Sequence, residues 1–104
     1  MIAIAATIFL AAASMQASAA AGSRQQFVAC LKQAVVKANA GKMKPENFGT
    51  LARQDCASQI TSFKQGLVSF DVKQGVARRR AESDAELQIE DYLVSASDKI
   101  QPDS

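Results

Sequence analysis

The sequence predicts an all-α fold: a disulfide-stapled antiparallel helical hairpin with a third helix, together a small helical bundle. Three observations carry this. Apolar residues recur at three- and four-residue spacings over three stretches, the signature of amphipathic helices. Each of the two cysteines, Cys30 and Cys56, sits on such a stripe. Their midpoint is residue 43, inside the polar turn Gly41-Lys42-Met43-Lys44-Pro45. A chain folded back there sets the cysteines opposite each other. Stripes and cysteine symmetry are separate features that give one register, and it makes Phe48 meet Ala38, Leu51 meet Val35, Ala52 meet Ala34, and Ile60 lie near Phe27.

The 104 residues bound the chain to one domain. Hydrophobic residues make up 48% and aromatics only 6%, with no Trp, so the core rests on aliphatic side chains and Phe. At this size a hydrophobic core alone is marginal and a covalent staple matters.

Residues 1–22 carry no charged side chain. The apolar run Ile2 to Ala13, followed by the small residues Ala17-Ser18-Ala19, has the layout of a secretory signal peptide over 1–19, cleaved within 19–21. The n-region lacks Lys or Arg, and an uncleaved anchor is the competing reading. Residues 20–104 then form a single helical domain, with helices expected at about 23–40, 46–74 and 77–100. The first opens on a capping box, Ser23 with Gln26. Its stripe is Phe27, Cys30, Leu31, Ala34, Val35 and Ala38, and Gly41 is expected to end it in the left-handed conformation. Pro45 suits the first position of the second helix, and Glu46 suits its dipole. That helix carries Phe48, Leu51, Ala52, Cys56, Ile60, Phe63, Leu67 and Phe70, with Gly66 tolerated inside it. The third shows Ala85, Ile89, Tyr92, Leu93, Ala96 and Ile100 on one face. It starts at the Ser83–Glu86 capping pattern or already at Val76, and Gln101-Pro102 stops it.

Charge is segregated along the chain. From Arg24 to Arg80 eleven basic residues face three acidic ones (Glu46, Asp55, Asp71), whereas from Ala81 onward Lys99 stands against seven acidic residues. Two packed halves that neutralise each other explain this, and so does an anionic partner. The densest basic spot, Arg78-Arg79-Arg80, is a candidate anion-binding site. Carboxylates follow it at once and no aromatics interleave, so no nucleic acid is expected.

Catalytic chemistry finds little purchase. There is no His, which removes His-dependent triads and the usual zinc sites. No Ser-x-x-Lys motif and no Gly-rich phosphate loop is present. Glu82, Glu86 and Glu90 share a helical face without calcium-loop spacing. They read as ion-pairing residues, with Arg78–Glu82 and Arg80–Asp84 as i, i+4 pairs. No metal and no cofactor are expected. Cys30 and Cys56, mid-helix and far apart in sequence, read as a structural disulfide rather than a redox pair. Phe63, Leu67, Phe70, Tyr92 and Leu93 are expected at the interface of the second and third helices, and they become an interaction surface if those helices part.

These features imply an exported protein, periplasmic or extracellular, that acts by protein or surface interaction rather than as an enzyme. Its partner is a protein or an anionic envelope surface. It is not expected to insert stably in a membrane after cleavage, and a homodimer through the second or third helix is open to it. The alternative is a small periplasmic stress chaperone that exposes apolar helix faces on charge loss. In size, export, helices and one disulfide the chain resembles the acid-stress periplasmic chaperones in outline, without a shared residue motif. An enzyme of unknown type has no side-chain constellation behind it.

Overall fold

A computed structural model describes the backbone of residues 2–101 and the side chains of residues 21–101. Four helices follow one another: α1 (Ile2–Ala40), α2 (Pro45–Asp55), α3 (Ala57–Lys73) and α4 (Arg78–Ser97). No strand occurs among the described residues. The chain runs up α1, back along α2 and α3, and up again along α4, so α4 lies parallel to α1. Two contacts fix that direction. Phe27 and Tyr92 meet at a ring-centroid distance of 5.6 Å. Near the other end, Asn39 accepts a 2.8 Å hydrogen bond from the Gln101 backbone N–H and donates one of 3.4 Å to the Lys99 carbonyl.

The cystine forms as the symmetry argument requires, with Cys30 and Cys56 Cα atoms 5.9 Å apart. All eight side chains of the predicted contact pairs belong to one hydrophobic cluster, Val35 and Leu51 at its edge and the rest buried. Phe27, Phe63 and Tyr92 close its centre as a ring triad, with centroids 5.6–5.7 Å apart. Each of α1, α3 and α4 contributes one ring, so the triad ties the three runs together. A smaller cluster of Val68, Ala81 and Ala85 joins α3 to the start of α4, where the alanines let the helices approach closely.

Three local expectations are corrected, and one open alternative is resolved. Helix α1 does not start at Ser23. The Ala-rich stretch before it is the best helix-forming composition available, so the helix runs through without a cap. The second run is two helices, broken at Cys56 (φ −111°, ψ 24°). No Pro or Gly stands there. The break falls instead at the half-cystine itself, which is tied to Cys30 on α1, with Cys30 Sγ 3.8 Å from the Asp55 carbonyl oxygen. Helix α4 starts at Arg78 with Ala77 as its cap, close to the earlier of the two starts the sequence allowed, and the Ser83–Glu86 pair lies inside it. And the left-handed residue after α1 is Lys42 (φ 55°), not Gly41. Met43 N–H bonds to Ala38 O (2.9 Å) and Lys42 N–H to Asn39 O (3.2 Å), the paired bonds of a Schellman ending.

Helix α3 ends in the same motif around Gly75 (φ 95°), with Val76 N–H on Asp71 O and Gly75 N–H on Val72 O, both 3.0 Å. The two endings therefore predict opposite effects. Lys42→Gly releases a left-handed β-carbon and raises stability by about 0.5 kcal/mol, net of the entropy glycine adds to the unfolded chain. Gly75→Ala meets no atom within 4 Å but must hold that backbone, and it lowers stability by about 1 kcal/mol. Urea midpoints at constant slope read both; shifts of the same sign would contradict the assignment.

The run read as a signal peptide has its side chains outside the described residues, and Pro102 lies outside them altogether. Among the described residues no helix is long and apolar enough to cross a membrane.

Candidate interaction surfaces

Two of the five carboxylates of α4, Glu86 and Glu90, pair with other helices. Arg53, one turn before the break on α2, donates from Nη2 to Glu86 Oε1 at 2.8 Å and to Glu90 Oε1. Lys64 of α3 reaches the other oxygen of Glu86 at 3.4 Å. The i, i+4 spacing of Glu86 and Glu90 gives Arg53 two carboxylates on one face. Among the described residues the basic body and the acidic tail thus meet across helices in one clamp. The Arg53 hydrogen bond, above all, holds the Glu86 carboxyl below its usual range against the opposing effect of burial, with Lys64 adding to the shift. Arg53 is pushed up in turn, by its bond to Glu90 first and Glu86 second.

The clamp is modest in energy. Arg53, Glu86 and Glu90 side chains are 39%, 40% and 52% exposed, so each pair is worth about 0.2–1 kcal/mol. Because Glu86 is depressed in the folded state, its contribution is complete above the ordinary carboxylate range and is lost as pH falls through its lowered value. Glu86→Gln is therefore expected to cost under about 1 kcal/mol at neutral pH, with the gap to the parent chain closing in acid. A gap that widens below pH 4 would refute this sign.

Arg78, Arg79 and Arg80 form the first turn of α4 and are all exposed. Arg80 pairs with Asp84 at 3.9 Å, as the spacing predicted, but Arg78 does not pair with Glu82. Among the described residues Arg78, Arg79 and Lys73 make no ion pair. Phe70 stands one turn before Lys73 and is 44% exposed, a correction to its expected core position. At that level α3 packs on α4 through Val68, on another side of the helix. The rest of the predicted surface is core: Phe63 and Leu93 are buried, and Leu67 and Tyr92 are half-buried against them.

An open groove of about 340 Å³ remains between the parallel helices α1 and α4. Val28, Leu31, Lys32 and Val35 line one side; Tyr92, Ser95, Ala96 and Lys99 line the other. Both sets repeat at i, i+3, i+4, i+7. The sequence reading passed over Val28, Lys32 and Arg53. Val28 and Val35 lie at i, i+7 on the margin of the α1 stripe, a signal that was available; nothing in the sequence alone pairs Arg53 with Glu86.

Among the described residues no group of three or more His, Cys, Asp or Glu side chains converges for a metal, and no buried side-chain polar atom lacks a partner. No protein-family model, curated protein or solved structure matches this chain.

Proposed function

We propose that this is a small exported protein of the cell envelope that acts by interaction rather than catalysis, docking on an anionic envelope surface through the α3–α4 end. One observation carries the reading. Lys73, Arg78 and Arg79 are exposed and unpaired, and the arginines occupy a helix first turn where the dipole disfavours cations by about 0.3–1 kcal/mol each. Fold stability does not account for placing them there. Phe70 beside Lys73 adds an apolar foothold next to the charges. The disulfide fits an oxidising compartment, and the uncharged run 1–22 supplies the export signal.

Two measurements test it. Intact mass of the chain from its native envelope fraction, before and after reduction and alkylation, should start near Ala20 with no thiol reactive until reduction. Co-sedimentation should favour phosphatidylglycerol-containing vesicles over pure phosphatidylcholine and weaken with salt. Arg78→Glu with Arg79→Glu should cut vesicle binding at least tenfold, at about 1 kcal/mol per surface cation before the reversal is counted. Equal binding to both vesicles, or indifference to salt, refutes the docking surface.

The chaperone alternative requires acid to release α4 by neutralising Glu86 and Glu90. The clamp supplies only about 1–2 kcal/mol across its pairs, while α4 is also held by Ile89 and Leu93 in the core, which carry no titratable group, so this reading is the weaker. Dye-accessible apolar surface unchanged from pH 7 to pH 3 would eliminate it.

A further inference from the structure

We infer that the α1–α4 groove is a binding site for a single-chain anionic amphiphile, a long-chain carboxylate. The groove is apolar along its floor, through Val28, Leu31, Val35 and Ala96, and Tyr92 closes one wall. Its volume of about 340 Å³ sits at the small end of ligand sites, the size for one extended chain rather than a folded or two-chain lipid. Seven residues of helix give it a length of about 10 Å, a slot that holds part of a dodecyl chain and leaves the rest of it outside.

Charge selects the head group. Helix α4 carries five carboxylates, at 82, 84, 86, 90 and 91, and none of them lines the groove. Among the described residues the only charged ones that do are Lys32, midway along one side, and Lys99 at the far end of the other. Neither makes an ion pair among the described residues, and the Lys99 backbone is held in place by Asn39. An alkyl chain lying on the valines would therefore bring its carboxylate to Lys32 or to Lys99. Tyr92 is the sole tyrosine and the chain has no Trp, so the groove owns the protein's intrinsic fluorescence.

The site is separate from the arginines of the α3–α4 end, and it stands or falls independently of vesicle docking. The test titrates the exported, disulfide-intact chain with dodecanoate below its micellar range and follows Tyr92 emission. A saturable change is expected, at least tenfold tighter than for dodecyltrimethylammonium or dodecanol. Lys32→Glu with Lys99→Glu, both exposed positions, should weaken dodecanoate tenfold or more and reverse the preference toward the cationic amphiphile. Should that variant fail to fold by circular dichroism, the head-group comparison on the parent chain still decides. No saturable change, or equal affinity for all three head groups, overturns the assignment. So does a sedimentation result in which the free chain is a dimer that buries Tyr92, because a second copy would then be the occupant.

Discussion

Phe63→Ala is expected to remove about 3–5 kcal/mol, the largest loss from any single truncation here. Phe63 is fully buried and touches the rings of Phe27 and Tyr92, so its removal opens a cavity and breaks two aromatic contacts at once. Folded domains hold only about 5–15 kcal/mol in all, and one this small sits low in that range. The variant should therefore be partly unfolded at room temperature. Phe70→Ala, one heptad further on the same helix, is the internal control. Its ring is 44% exposed, and truncation should change stability by about 0.5 kcal/mol. Urea unfolding followed by circular dichroism compares the two directly. Equal losses, or a Phe63→Ala loss under about 1 kcal/mol, would mean that the ring triad does not close the core.

The contrast between these two phenylalanines marks what periodicity can tell. Both lie on the stripe that begins at Phe48, and spacing treats them alike. It identifies the face of a helix that is apolar, and not how far along that face a neighbour reaches. The cystine and the turn set the register of α2 on α1, because a two-helix register has one free parameter and Cys30–Cys56 sets it. Helix α4 has no such tether, so its placement against Val68 at one end and Phe27 at the other was open. The break at Cys56 was hidden for a related reason. Helix breakers are read from Pro and Gly, and here the break falls at a half-cystine tied to another helix. The Arg53 clamp needs both the break and the α4 placement before its three members meet. The α1–α4 groove has the same dependence: each of its walls is a plain amphipathic margin until two parallel helices are set side by side.

Reducing Cys30–Cys56 is expected to cost about 3 kcal/mol, from the loop entropy that a 26-residue separation returns to the unfolded chain. The staple closes α1 on α2 and leaves α4 outside the loop. Reduction therefore removes no contact of α4 directly, and the whole helical content should be lost in one transition at a lower urea concentration rather than α4 melting alone. With slopes of about 1–3 kcal/mol/M for small proteins, the midpoint should fall by about 1–3 M. The slope itself should rise, because an unfolded chain freed of a crosslink exposes more surface. Cys56 is fully buried, so Cys30→Ala with Cys56→Ala adds a small cavity term and should be somewhat worse than reduction. A loss below about 1 kcal/mol with an unchanged slope would carry a different meaning. The α1–α2 turn, with its Schellman ending and Pro45, would then already hold the hairpin ends together in the unfolded ensemble. The local sequence at residues 38–45, rather than the sulfurs, would be what specifies the hairpin.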